Sequence, residues 1–477
     1  MSDAPPDSPL VTNLENTLAP PGAPSLPIHA FRPESLEAGL ATLTPPQAAF
    51  LQAAGFTAAA GQLHLLPGEN GLAAAAIGLG ADRSPYTHGA LPFALPAHTT
   101  WHLEPGDFDQ SDATLGWLLG AYHFTAHKAP KRPPARLAST AAPIAQAFPA
   151  TLSCARATWL ARDLINAPAN HQGPAELAAA TQALAARHGV HADLVQGEAL
   201  TREYPTIAAV GAGSARPPVV ARFTWSGTHA TPTAPLLSLC GKGVVFDTGG
   251  YDLKPPAAML RMKKDMGGAA LMLALAAVVM DADLPIRLEV RIGCLENMVS
   301  GHAMRPSDIL RTRRGLTVEV GNTDAEGRLL LCDLLAEASD RNPALLIDAA
   351  TLTGAARVAL GPDIPALFTP DDAIAAAAIA AGDAAHDPLW RLPLHAPYAS
   401  WLDSPVADLN NVATKPMAGA ITAALFLQRF VAPGTPWMHI DTYSWNDGTR
   451  PGRPEGGEAL GLRALFRTIS TLNWRNV

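Results

Sequence analysis

"LTVEVGNTDAEGRLLLCDLLAEASD", residues 316–340, begins with alternating apolar and polar side chains and ends in a leucine-rich run as long as a helix. Asp324, Glu326 and Arg328 stand at the turn between the two. Similar alternation surrounds it. "PLLSLCGKGVVF" (235–246), "IRLEVRIGCLE" (286–296) and "ALLIDAATLTGAA" (344–356) read as strands, and "MGGAALMLALAAVVM" (266–280) reads as a helix. Two more helices precede them, "ATWLARDLINAPAN" (157–170), closed by Pro168, and "PAELAAATQALAARHG" (174–189), stopped by Gly189. Strand and helix in turn predict an α/β domain with a largely parallel or mixed sheet between helices. Ligands in such sheets sit beyond the carboxyl ends of strands. The charged turns after "LSLCG" and "TVEVGN" are expected there, on one sheet.

A local explanation competes for the opening acids. Thr323 and Glu326 have the spacing of a capping box, and acids suit the positive end of a helix.

The 477 residues are too many for one ordinary core and predict two domains. Residues 1–26, acidic and proline-rich, read as a flexible arm. Residues 27–126, with "LPIHAF", "AAAAIGLG" and "LGWLLGAYHF", read as a small N-terminal α/β domain. The basic, proline-rich stretch 127–149 reads as a linker, and 150–477 as a larger C-terminal domain. With 48% hydrophobic and 16% charged residues the chain is globular. A net charge of -8 and the lack of basic runs argue against nucleic acid as a partner. No signal-peptide pattern opens the chain, and its longest small-apolar run is too short to span a bilayer. Cys154, Cys240, Cys294 and Cys332 stand apart among apolar neighbours and read as reduced core residues. A cytoplasmic protein away from membranes is the expectation.

Two further stretches join the opening one, "CGKGVVFDTGGYDLKPP" (240–256) and "MKKDMGG" (262–268). They add Lys242, Asp247, Lys254 and Asp265 to Asp324, Glu326 and Arg328. Four carboxylates converging in an apolar domain repel one another unless cations lie between them. Bridging carboxylates can hold two divalent ions about 3.5–4 Å apart, as in many hydrolases. A lysine joins such a set only as the neutral amine.

These segments, with "ENMVSGHAMRPSDIL", "DAATLTGAA" and an intact NTDAEGRL at 322–329, resemble the leucyl aminopeptidase family of dizinc metallopeptidases. The likeness runs in order from about Ala161 to Phe466 and also takes in "GAGSARPP", "SPVADLNN" and "GAITAALFLQRF". It implies two divalent ions per chain, Zn²⁺ or Mn²⁺. One would be held by Lys242, Asp247, Asp265 and Glu326, and the other by Asp247, Asp324 and Glu326. It implies that Lys254 stays cationic against the scissile carbonyl oxygen, and that Arg328 seats a bicarbonate acting as general base. The implied reaction removes the first residue of a peptide with a free α-amino group, using a metal-activated water. On this reading the acids are ligands and capping is secondary. The resemblance also implies a homohexamer, a dimer of trimers around an enclosed cavity.

Met262, Asn322 and Thr351 match substrate-pocket positions of the family. Tyr443, in "HIDTYSWN", replaces the alanine of the common HxDIAG pattern. A tyrosine narrows or polarises that pocket, so small or polar first residues are expected to be preferred over leucine. His123 and His127 are spaced as on one helix face, but without a third ligand they are not read as a metal site. "GAGSARPP" is read as a structural loop, Asp252 as a solvated acid, and His439 with Asp441 as structural hydrogen bonding. Rival readings are a narrower dipeptidase or amidase on the same metals, and a DNA-binding protein; the intact ligand set and acidic balance disfavour the latter.

Overall fold

The computed structural model describes residues 14–140, 142–472 and 474. The chain divides into two compact units, one of residues up to 159 with 447–455, the other of 160–446 with 456–477.

In the first unit a five-stranded sheet runs in the order Leu63–Gly68, Gly71–Gly78, Leu26–Phe31, Thr100–Leu103, Arg136–Leu137. Only the outer Leu63–Gly68 strand is antiparallel to its neighbour. Trp101, Trp117 and Leu118 fill the core between the sheet and the Gln110–Gly120 helix, which Asp109 caps by accepting the Asp112 N–H. Residues 1–13 of the expected arm lie outside the described residues, but its second half is not free. Leu14 and Thr17 are buried, and the Ala19 N–H donates to the Leu137 carbonyl at 2.8 Å. The expected linker is likewise partly built in, because Ala135 and Leu137 are apolar enough to be buried at the sheet edge. Proline and lysine content marked the exposed half of that stretch and hid the buried half. Residues 447–455 return to this unit, where Arg453 donates to the Tyr86 hydroxyl at 2.9 Å.

The second unit is built on a mixed eight-stranded sheet. Its centre is three parallel strands, Leu345–Ala350, Leu236–Asp247 and Arg287–Asn297, with Trp437–Asp441 parallel beyond the first. The antiparallel Val219–Ser226 strand lies beyond Arg287–Asn297. These central strands are apolar on both faces because helices cover both. The Gly267–Asp281 helix is buried almost throughout, as its all-apolar sequence requires. The Glu326–Ser339 helix is buried along its whole length.

Two details differ from expectation. Thr317–Glu319 pairs with Ile309–Arg311 and Leu409–Asn410 in a separate three-stranded sheet, so the charged turns do not share one sheet. The strand containing "LSLCG" does not turn there either. It runs on to Asp247, so Lys242 projects from inside a strand. Alternation identifies a strand but not its partner, and both errors follow from that. Among the described residues no helix is long and apolar enough to cross a membrane.

Candidate metal centre and the cavity beside it

Asp247 closes its strand, and the loop after it folds back at Gly249 and Gly250, which have φ of +90° and +65°. A side chain at Gly249 would press on the Asp252 carbonyl and come within 3.1 Å of Asp324 Oδ1, so glycine lets the loop approach the acids. The Lys254 N–H donates to the Thr248 carbonyl at 2.9 Å, which points Lys254 back at Asp247. Asp265 sits just before the Gly267–Asp281 helix, and Glu326 opens the Glu326–Ser339 helix. Both positions favour negative charge.

Carboxylate oxygens of Asp247, Asp265 and Glu326 lie within 4.8 Å of one another, and all three residues are buried. Lys242 Nζ stands 2.8 Å from Asp265 Oδ2 and 2.9 Å from Glu326 Oε1, and donates to the Thr351 carbonyl at 2.9 Å. Lys254 Nζ is 2.8 Å from Asp247 Oδ2 and also pairs with Asp324. Neighbours fix the acids in place. Asp247 Oδ1 accepts from the Gly249 N–H and from Asn297 Nδ2, both at 2.8 Å. Asp265 Oδ1 accepts from the Thr351 hydroxyl at 2.7 Å. The Asp324 N–H donates to Asn322 Oδ1 at 2.6 Å. Gly327 faces Lys242, where a methyl group would lie 2.6 Å from Lys242 Cε.

Two ammonium groups do not balance four carboxylates. Burial, with Asp265 beside it, pushes the Asp247 carboxyl up to about 6. Burial, with Asp247 beside it, pushes Glu326 up to about 8. Burial works against the charge on Lys242, but Asp265 and Glu326 outweigh it and hold that ammonium above the ordinary lysine range. Asp265 Oδ2, Glu326 Oε1 and Asp324 Oδ1 are buried and accept no hydrogen bond, meeting only the lysines. A buried set of carboxylate oxygens, short of positive charge and beside one amine, fits divalent ions of the zinc or manganese type. Among the described residues no other group of acids, histidines and cysteines has such geometry.

Arg328 is buried two residues along the same helix. Its Nη1 donates to the Asn411 carbonyl at 2.7 Å, and its Nε donates to nothing among the described residues. Burial lowers its pKa to about 10. An unsatisfied guanidinium edge of this kind fits a small anion.

A cavity of about 580 Å³ opens beside the acids. Lys254, Met262, Asp265, Thr351 and Tyr443 line it. Asn322 does not, since its side chain is turned to Asp324.

Other sequence expectations meet mixed outcomes. The capping box is absent: the Glu326–Ser339 helix has Ala325 at its N-cap and no side-chain cap bond. Thr323 instead donates to the Gly249 carbonyl at 2.6 Å. Asp252 is more than a solvated acid. Its Oδ2 accepts from the Thr323 N–H at 2.7 Å and its own N–H donates to the Thr323 hydroxyl at 2.8 Å, tying the Lys254 loop to the Asp324 turn. His123 and His127 follow the end of the Gln110–Gly120 helix and share no helix face. "GAGSARPP" is structural, with Ser214 and Arg216 both donating to Glu296. His439 pairs with Asp348 at 2.6 Å, while Asp441 accepts the Leu352 and Thr353 N–H groups. All four cysteines are buried and free. Asn297, at the end of its strand, and Asn411 have no place in the sequence reading, since a single asparagine carries no spacing signal.

Comparisons with known proteins relate the whole chain to a family. Residues 159–466 match the catalytic domain of the cytosol aminopeptidase family, and residues 26–140 match the M17 aminopeptidase N-terminal domain. Peptidase B of Pectobacterium atrosepticum is 45% identical over 319 residues, 65% of this chain and 73% of that one. A probable cytosol aminopeptidase of Roseiflexus castenholzii is 40% identical over 371 residues, 75% of each chain. The crystal structure of a cytosol aminopeptidase from Coxiella burnetii superposes with a TM-score of 0.88 at 42% identity, over 94% of this chain and 97% of that one. The bottromycin maturation enzyme BotP in complex with Mn gives 0.83 at 34% identity, over 94% and 99%. The chain belongs to the cytosol aminopeptidase family. It is a metal-dependent aminopeptidase, a hydrolase that acts at the N-terminus of peptides.

Proposed function

We propose that this aminopeptidase works with two divalent ions per chain, and that its site residues divide the labour as follows. Asp247, Asp265, Glu326 and the neutral amine of Lys242 would hold one ion, and Asp247, Asp324 and Glu326 the other. Such ions supply Lewis acidity toward the first peptide carbonyl and lower the pKa of water toward about 7. Lys254 keeps its proton. Burial opposes its charge, but Asp247 and Asp265 hold its ammonium above the usual lysine range. Its Nζ stabilises negative charge on the carbonyl oxygen in the transition state. Arg328 uses its unpartnered Nε edge to seat a bicarbonate, whose chemistry is that of a general base. Met262, Thr351 and Tyr443 receive the first side chain, and Asn322 orients Asp324 instead of touching substrate. The reading rests above all on the convergence of Asp247, Asp265 and Glu326 beside a cavity.

Manganese in the related BotP structure favours Mn²⁺ alongside Zn²⁺ as the working ion. The names of the relatives support a cytoplasmic home, and the family resemblance supports a homohexamer. The test is direct. Elemental analysis under non-chelating conditions should find two ions per chain, and EDTA should remove aminoacyl-amide hydrolysis that Mn²⁺ or Zn²⁺ restores. Full activity without bound metal would sink the assignment. Light scattering at micromolar concentration tests the assembly, and a monomeric mass refutes it.

A further inference from the structure

Three cationic side chains gather where the cavity meets Tyr443. Lys264 Nζ lies 4.5 Å from the centre of the Tyr443 ring and donates to the Tyr443 carbonyl at 3.0 Å. The Arg357 guanidinium lies 5.0 Å from the same ring. Arg261 Nη1 donates to the Tyr443 hydroxyl at 3.3 Å. All three line the cavity.

Lys264 is more than nine-tenths buried, which is costly for an ammonium unless a counter-charge offsets it. Among the described residues neither Lys264 nor Arg357 has a carboxylate within ion-pairing distance. The acids that line the cavity are committed elsewhere. Asp265 faces Lys242 and Thr351, and Asp441 accepts from Leu352, Thr353 and the Thr353 hydroxyl. Lys264 and Arg357 therefore bring positive charge to the cavity without ion pairs of their own, although Asp265 and Asp441 favour the charge on Lys264. A tyrosine ring is a suitable platform for it, since an aromatic face attracts cations. An alanine at 443 would leave both charges without that support.

We propose that this cavity selects peptides whose first side chain is a carboxylate, glutamate or aspartate. Lys264 and Arg357 are the specificity-determining residues, and Tyr443 holds them in place. The proposal rests on the aminopeptidase reading and on the cavity taking the first side chain. The carboxylate completes the ion pairs that the protein leaves open, and charge-assisted hydrogen bonds are stronger than neutral ones. A lysyl side chain meets repulsion, and a leucyl one leaves both cations unpaired.

The experiment compares glutamyl, glutaminyl, leucyl and lysyl p-nitroanilides, with Mn²⁺ added and then with Zn²⁺. Glutamyl and glutaminyl differ in charge and hardly in shape. The wild-type kcat/KM should favour glutamyl over glutaminyl by about tenfold or more, with lysyl poorest. Lys264→Met and Arg357→Met should each move that ratio toward one, and Arg357→Lys should recover part of it. The ratio does not depend on how much of a variant is folded. A wild-type ratio near one, or a large ratio untouched by these substitutions, overturns the proposal. Cleavage of leucyl but not glutamyl substrate sinks this inference and leaves the aminopeptidase reading standing. Cleavage of none of the four with metal supplied takes down both.

Discussion

Lys242 and Lys254 each face two carboxylates, yet their surroundings differ. The side chains of Lys242, Asp265 and Glu326 are 3%, 6% and 2% exposed. Lys254 is 14% exposed and its partner Asp324 is 32% exposed. Lys242 and Glu326 are sealed between a strand and two helix starts, Lys254 and Asp324 reach solvent, and Lys254 and Asp265 border the cavity. A cation held at the sealed end has no short path to water, whereas one at the open end can exchange and meet substrate. The same two residue types thus serve retention at one end and chemistry at the other, and burial decides which.

The strongest way to break this contrast is at the ligands. Asp265→Ala and Glu326→Ala should abolish turnover and lose metal that added Mn²⁺ does not restore. Asp324→Ala at the open end should instead be rescued by excess Mn²⁺. Elemental analysis paired with rates separates the two, and equal rescue at both ends would erase the distinction.

The lysines give the next largest effect. Lys254→Ala should lower kcat by about 10²–10³-fold with both ions retained, the size of a lost oxyanion donor. Lys242→Ala should lose one equivalent of metal. Two variants that both keep full metal and full rate would show that the lysines are mere counter-ions.

Acidity probes the cluster without mutation. Asp247 and Glu326 hold their protons up to about 6 and about 8, above the values of an unfolded chain. The folded state therefore binds extra protons between the ordinary carboxylate range and pH 8, and a metal ion must displace them. Metal affinity should fall as pH drops from 8 to 6, by about tenfold per unit for each proton displaced. Titration with a chelator-buffered ion at three pH values measures this. A flat profile would mean that the acids are already ionised.

The smallest effect is expected at the mouth of the cavity. Tyr443→Ala should lower the glutamyl-to-leucyl ratio of kcat/KM severalfold, because Lys264 and Arg357 lose the ring that holds them. A silent variant would show that the ring does not hold them.

Much of the site was legible because its residues fall within short contiguous motifs. Asp324, Glu326 and Arg328 share eight residues, and Asp247 and Lys254 lie on one loop. The alternation of strand and helix was legible too, because buried central strands and covering helices have apolar runs of different length. What escaped depends on partners distant along the chain. Thr323 looked like a helix cap because its three-residue spacing to Glu326 is visible, while its true partners Gly249 and Asp252 are not. Lys264 stands in plain view inside "MKKDMGG", but nothing in that stretch sets it apart from Lys263. Its meeting with Arg357 on the Tyr443 ring joins three separate segments that no spacing connects. Thr317–Glu319 was rightly read as a strand and wrongly placed, since pairing is settled by the hydrophobic faces available and not by the strand itself.

The N-terminal unit takes residues 447–455 back from the far end of the chain, and Arg453 packs there 4.2 Å from the Tyr86 ring. Domains usually fold in the order in which the ribosome releases them. This unit can build its Trp101 and Trp117 core early, but its last piece leaves the ribosome only after almost the whole catalytic sequence has been made. Until then Tyr86 and the glycine at 89, which lies against Gly452, wait uncovered. Translation of this chain therefore ends with two domains completing together, and a fragment cut at the catalytic boundary would be born unfinished.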